Sequence, residues 1–179
     1  MWSAGSSNGE EAYSLTILFL EAFKNGVQRG AYSGHSTLNA ERFLLHIYGT
    51  DIDVNCLSRA KAGIYQAPSL RHVTPERLQR YFRKEGETYR VADEIKQLVR
   101  FQRHDLVTDH FLDHMDLILC RNVVIYFSRS LQDFVYSNFA HALNAGGVLV
   151  LGKVESLWGY PTAYFETVNL AERIYRKKG

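Results

Sequence analysis

Cysteine is scarce in this chain. Cys56 and Cys120 are the only two in 179 residues, too few for a disulfide framework, and each stands beside an apolar residue. A reducing, cytoplasmic compartment fits that usage. Charge of one sign is also lacking: 21 Lys and Arg stand against 19 Asp and Glu, a net +2. A protein that coats a polyanion would be far more basic, so nucleic acid is not an expected partner. No apolar run approaches the roughly 20 residues of a membrane helix, which speaks against membrane insertion. Met1–Gly5 has no basic segment leading into an apolar core, so it does not read as a signal peptide. Internal repeats and low-complexity tracts are missing as well.

What is present is an ordinary globular balance, 46% hydrophobic and 22% charged, in a length suited to one domain with a small appendage. The chain opens with Trp2-Ser3-Ala4-Gly5-Ser6-Ser7-Asn8-Gly9-Glu10-Glu11, where small residues and two glycines lead into a helical pattern. Leu15, Leu18, Phe19 and Ala22 recur at helical spacing and are expected to form its buried face, with Asn25-Gly26 as the stop. Val27–Ala40 shows no period and reads as loop or irregular helix. Phe43–Tyr48 is a buried-strand run closed by Asp51. Asp53–Ala62 reads as a short helix capped by Asp53.

From Gly63 to about Leu98 the strand–helix alternation breaks. Thr74-Pro75-Glu76 is a helix start, with Leu78, Tyr81 and Phe82 as its apolar side. Glu87–Val91 reads as a short strand. These features predict a small inserted subdomain over residues 63–98. Its basic residues (Arg77, Arg80, Arg83 and Lys84 among them) read first as solvated surface. The alternation then resumes. Val99–His104 and Met115–Cys120 read as strands. Leu131–Leu143 reads as a helix with Phe134, Val135, Phe139 and Leu143 inward. Asn144–Gly147 reads as a helix stop and tight turn, and Val148–Gly152 as a fully buried strand. Ala163–Val168 and Glu172–Arg176 read as an antiparallel hairpin.

Chemistry-bearing residues fall at strand ends: Gly5 and Gly9 after the first, Asp51 after the second, Asp105 after the third, Arg121-Asn122 after the fourth. In an open α/β sheet, ligands bind outside those ends, at the point where the strand order reverses. A carboxylate closing the second strand can accept both hydroxyls of a ribose, and a polar residue closing the third can reach an adenine edge. The glycine turn by itself is a weak signal. It lacks the Lys-Ser/Thr of a phosphate loop and the third glycine of a dinucleotide fingerprint. Glu10 and Glu11 open the following helix and would repel a pyrophosphate, but they tolerate an amino group or a sulfonium. That charge pattern points to S-adenosylmethionine. Asp109-His110-x-x-Asp113-His114 lies in a short connection with no second cluster nearby, so no metal site is expected there.

The stretches Trp2-Ser3-Ala4-Gly5-x-x-x-Gly9-Glu10-Glu11, Gly49-Thr50-Asp51-Ile52-Asp53, Ala60-x-x-Gly63-Ile64-Tyr65 and Cys120-Arg121-Asn122-Val123-Val124-Ile125-Tyr126-Phe127 closely resemble the CheR-type chemotaxis-receptor methyltransferases. The resemblance runs in order along essentially the whole chain. It implies a class I S-adenosylmethionine-dependent methyltransferase fold, a Rossmann-like doubly wound α/β sheet, over residues 1–179, with a small antiparallel β subdomain inserted over residues 63–98. It also implies O-methylation of glutamate side chains on the cytoplasmic domain of a methyl-accepting chemoreceptor, with S-adenosylhomocysteine as product. By position, it places Gly5 at the methionine portion, Glu10 and Glu11 as carboxylates on the cofactor side, Asp51 at the ribose, Asp105 and Leu106 around the adenine, Arg121 and Asn122 on the site floor, and Tyr126 beside the departing methyl.

Departures from the family pattern bear on this. Asp105 replaces the usual Asn, Ser6 and Asn8 replace Cys and Thr, and Gly152-Lys153-Val154-Glu155 replaces Gly-His-Ser-Glu. The helical domain that precedes the first strand in the family is absent from this sequence. An alternative function is therefore a catalytically weak S-adenosylmethionine-binding module. The link Arg83–Glu87 is shorter than in members that bind a receptor's C-terminal pentapeptide tether, which implies that the tether is not used. The reaction itself needs alignment rather than a base, since a glutamate carboxylate is already ionised at neutral pH.

Overall fold

The computed structural model describes residues 1–28 and 45–179. The expectations for residues 29–44, the irregular stretch and the start of the Phe43–Tyr48 run, lie outside the described residues. In chain order the elements are β1 (Trp2–Ala4), α1 (Glu10–Gln28), β2 (Ile47–Asp51), α2 (Val54–Ala62), β3 (Ile64–Gln66), α3 (Pro75–Tyr81), β4 (Phe82–Glu85), β5 (Thr88–Val91), α4 (Asp93–Lys96), β6 (Val99–Arg103), β7 (Met115–Cys120), α5 (Arg129–Ala142), β8 (Leu143–Leu151), β9 (Phe165–Asn169) and β10 (Ile174–Lys177). Single 3-10 turns cover Ala67–Leu70, Val124–Tyr126 and Tyr160–Tyr164. The class is mixed α/β, with a mostly parallel central sheet and a small antiparallel one.

The chain divides into two compact units. The first comprises Met1–Gly5, Thr50–Ile52 and Arg103–Gly179. Its strands run in the order β2-β1-β7-β8-β10-β9, β2 contributing its last two residues. The β1–β7 and β7–β8 pairs are parallel, and β10 pairs antiparallel with both β8 and β9. The order reverses between β1 and β7, which makes that junction the switch point. Trp2, fully buried, anchors the interior. Its ring meets His104, Phe111 and Phe139 edge-on at 5.3–5.5 Å, a favourable quadrupole arrangement. Its indole N–H donates to the Thr50 hydroxyl at 2.9 Å.

Helix α5 buries Val135, Tyr136, Phe139 and Ala140, and Leu143 just past its end is buried too. Phe134, expected inward, is 47% exposed, and Tyr136 takes the inward place. The stretch expected as a tight turn, Asn144–Gly147, is absorbed into β8 as a bulge: Met115 pairs with Leu143, but Leu117 pairs with Val148. Gly146 supplies the positive φ of +75° that the bulge requires. Val148 and Val150 are only half-buried, so this strand alternates rather than being buried throughout.

The second unit comprises Ser6–Gly49 and Asp53–Gln102. Here β6 and the first residues of β2 are neighbours, and β3, β5 and β4 form the antiparallel sheet in the order β3-β5-β4. The expected helix starts are present. The Asp53 carboxylate caps α2 by accepting from the Asn55 and Cys56 N–H groups at 2.7 and 3.3 Å, and these bonds hold its pKa below the usual carboxylate value. The Thr74 hydroxyl caps α3 from the Arg77 N–H at 3.4 Å.

Three expectations in this unit are corrected. Helix α1 runs through Asn25-Gly26 to Gln28. It also buries Ala12, Tyr13, Thr16, Ile17 and Leu20, while Leu18 and Phe19 are 50% and 41% exposed. Tyr13 and Thr16 can go inside because their hydroxyls are satisfied, by the Ala60 and Ala12 carbonyls at 2.9 and 2.8 Å. Burial pushes the Tyr13 phenol up to about 12. The presumed link Arg83–Glu87 is mostly strand: β4 follows α3 directly, and only Gly86-Glu87 forms the turn into β5.

Candidate functional site

Four strand ends of the first unit meet at its switch point. The Gly5 N–H donates to the Thr50 carbonyl at 2.8 Å, which sets the turn after β1 beside the end of β2. The Asp51 carbonyl accepts from the His104 N–H at 3.0 Å, which sets Asp105 beside Asp51. Gly5, at φ +77°, packs so closely on Val123 that any Cβ would overlap the Val123 Cγ2. Gly5, Asp51, Asp105 and Arg121-Asn122 are therefore one row along the sheet edge. The sequence places them at strand ends, and three contacts between non-adjacent segments make them neighbours.

The Asp105 turn is self-supporting. Its Oδ1 accepts the Val107 N–H and its own N–H donates to Asp109 Oδ2, both at 2.9 Å. The Asp105 N–H, with Arg103 3.3 Å away, holds the Asp109 carboxyl below its ordinary range. Asp109 is thus engaged within the turn, and among the described residues no group of three potential metal ligands converges. Leu106 is buried. An aspartate can only accept, so Asp105 could receive an adenine amino group but, unlike asparagine, could not donate to a ring nitrogen.

Beyond β7, Asn122 adopts φ +60°, the left-handed region. Arg121 and Asn122 are exposed. The following 3-10 turn carries Tyr126, which is 82% exposed. Gln132 of α5 secures this turn through Nε2, which donates to the Val124 and Phe127 carbonyls at 3.0 and 3.1 Å. Sequence reasoning passed over Gln132, since a lone glutamine early in a helix has no local signature. Glu155, a buried carboxylate on the loop after β8, entered only as the end of the Gly152–Glu155 stretch, which keeps the glycine and glutamate of Gly-His-Ser-Glu, and was given no role.

Glu10 and Glu11 lie in the second unit, in the first turn of α1. The preceding turn closes with the Gly9 N–H on the Ser6 carbonyl at 2.9 Å. Asn8 is tied to α2 by Arg59 Nε at 2.9 Å, and its carbonyl accepts the Tyr65 hydroxyl at 2.7 Å. Glu10 also lines a cavity of about 250 Å³ with Tyr13, Tyr65, Leu70 and Arg77.

These residues fit S-adenosylmethionine in chemistry. In the first unit the Gly5 turn leaves the backbone open to a ligand and Asp51 has accept-only oxygens suited to a ribose diol; in the second, α1 opens with two carboxylates, which suit a cation and repel a phosphate. A mostly parallel sheet with this row at its switch point defines a class I S-adenosylmethionine-dependent methyltransferase domain. A TehB-like methyltransferase of that type from Corynebacterium glutamicum shares the fold, with a TM-score of 0.50 at 15% identity over 98% of this chain and 76% of that one. The chain belongs to the CheR methyltransferase family, whose SAM binding domain matches residues 1–174. It is 35% identical to a chemotaxis protein methyltransferase of Listeria innocua over 88% of this chain and 53% of the relative. It is 37% identical to one of Vibrio anguillarum over 94% and 58%. The putative methyltransferase Cher3 of Pseudomonas putida is 36% identical over 99% and 62%. The chain thus spans somewhat more than half the length of these curated relatives. Among the described residues no helix is long and apolar enough to cross a membrane.

Proposed function

We propose that this chain carries the cofactor-binding and methyl-transfer part of a cytoplasmic chemotaxis methyltransferase, which esterifies glutamate side chains on a methyl-accepting chemoreceptor. The observation that supports it is the row Gly5, Asp51, Asp105 and Arg121-Asn122 on one sheet edge, in a family whose matched domain binds S-adenosylmethionine. Bound there, the cofactor supplies an electrophilic methyl group. Asp51 holds the ribose, Asp105 and Leu106 flank the adenine, and the Gly5 turn faces the methionine portion. Glu10 and Glu11 offset the positive charge. Arg121 and Tyr126 orient the acceptor carboxylate, which needs no base because it is already ionised.

Calorimetric titration with S-adenosylhomocysteine tests the assignment. Asp51→Ala is expected to weaken binding by about 1.5–3 kcal/mol through loss of charge-assisted bonds to the ribose. An unchanged dissociation constant would remove that role. Methyl transfer to receptor fragments then separates an enzyme from a module that only binds cofactor. The insert does not take the receptor's C-terminal pentapeptide in this reading, because α3 passes into β4 with no intervening loop and the next turn is only Gly86-Glu87. Micromolar binding in a fluorescence-polarisation titration with that peptide would overturn this.

A further inference from the structure

We propose that Glu155 is a positioning residue: its buried carboxylate is the template on which the Arg121–Val123 turn is built. This rests on the cofactor assignment above and adds to it a residue that touches neither cofactor nor acceptor.

Glu155 is 4% exposed, and among the described residues it forms no salt bridge. Instead it accepts three backbone N–H groups: Asn122 and Gly152 on Oε2 at 3.0 and 2.6 Å, and Val123 on Oε1 at 3.0 Å. The placement is specific. Parallel strands β7 and β8 pair through Cys120 and Leu151, and there the ladder ends. Just beyond it, the Asn122 and Gly152 amides both donate to the Glu155 carboxylate. The chain doubles back through a turn in which the Glu155 N–H bonds the Gly152 carbonyl at 2.9 Å. That turn returns the carboxylate over Gly152, so one side chain closes both strand ends. Gly152 is needed for this: a Cβ there would lie 2.6 Å from Glu155 Oε2 and 2.9 Å from the Asn122 nitrogen.

The consequence reaches the site. Asn122 sits in left-handed backbone, a conformation that costs a non-glycine residue free energy and persists only where the surroundings impose it. Two N–H bonds to one carboxylate impose it, since charge-assisted bonds of this kind are about twice as strong as neutral ones. They also fix Val123, whose methyl fills the space left by the missing side chain of Gly5. Glu155 thereby sets the turn after β7 against the turn after β1, across the switch point.

A carboxamide in place of the carboxylate tests this. In Glu155→Gln the side chain keeps its size, but its NH₂ must face an N–H donor. Amide hydrogen exchange is measured at Asn122, Val123 and Gly152, together with the dissociation constant for S-adenosylhomocysteine. Val135→Ala, a fully buried helix position, serves as a control of comparable thermal destabilisation. Exchange at the three amides is expected to rise at least tenfold in Glu155→Gln and to stay unchanged in the control. Affinity is expected to fall about tenfold only in Glu155→Gln, with Glu155→Asp recovering part of it. Equal exchange at the three amides in both proteins would overturn the template role. Faster exchange without loss of affinity would overturn its link to the site. Should Glu155→Gln not fold, Gly152→Ala displaces the same carboxylate without removing it and is read in the same way. Lack of binding by the unaltered chain would refute the cofactor assignment alone, because the exchange arm stands without ligand.

Discussion

Of the turns that hold a residue in left-handed backbone, two are built in opposite ways. Between β4 and β5, Gly86 adopts φ +59° with no atom within 4 Å of where a Cβ would stand. The ion pair beside it, Arg90 with Glu85 at 2.7 Å, is partly solvent-exposed. After β7, Asn122 adopts φ +60°, with a buried carboxylate on its N–H and Val123 pressed against Gly5. The first turn is left-handed because glycine makes it inexpensive. The second is left-handed because everything around it leaves no alternative. An over-determined turn is what a site needs, since alignment lost at the strand ends is lost to the reaction.

Substitutions can sharpen the contrast. The largest effect is expected for Gly5→Ala, which adds both the left-handed penalty and overlap with Val123, a loss of about 3 kcal/mol in chemical denaturation. A loss under 1 kcal/mol would mean that Val123 can move and the second turn is not rigid. Thr50→Val comes next. It leaves the Trp2 N–H, buried at 0% exposure, without its acceptor, and should cost about 1–3 kcal/mol. Gly86→Ala should cost only about 1 kcal/mol, the conformational term alone, because the site is open. If Gly86→Ala proved as costly as Gly5→Ala, the distinction between the turns would fail.

The smallest effect is a pH dependence in the Asp105 turn. Bonds to the Asp105 N–H and the Arg103 charge lower the Asp109 pKa in the folded state. The sign follows: this contribution is present above the unfolded aspartate value of about 3.9 and is lost as pH falls through the folded value. Acid unfolding of Asp109→Asn should therefore show a shallower fall in stability below pH about 4 than the unaltered chain. Identical acid limbs would show that the turn gains nothing from that charge.

Much of this was legible locally. Asp53 and Thr74-Pro75 mark their helices because a capping oxygen acts within three residues of its own position. The runs Met115–Cys120 and Ala163–Val168 read as strands from local pattern alone, the second starting two residues later in the structure, at Phe165. The candidate row was legible as strand ends, because ligand sites follow from strand order, and the strand ends from the pattern. The stripes on α1 and α5 were misread for one reason. Counting Leu and Phe as core and Tyr and Thr as surface ignores whether a hydroxyl finds a partner, and Tyr13, Thr16 and Tyr136 are inside while Leu18, Phe19 and Phe134 are not. Strand β4 was missed because Phe82–Glu85 is a polar edge strand whose only ladder is to β5, so it carries no apolar alternation.

The sequence by itself determined the fold class, the order of most elements, the family and the residues that reach the sheet edge. Each of these depends on interactions between residues near in sequence, or on motifs kept together. Only the tertiary structure decided which helix faces are buried, that Gly5 exists for Val123, and that Glu155 holds a turn more than thirty positions away. Those depend on contacts across strands, where a donor and its acceptor meet through the folding of the sheet and leave no periodic trace in the chain.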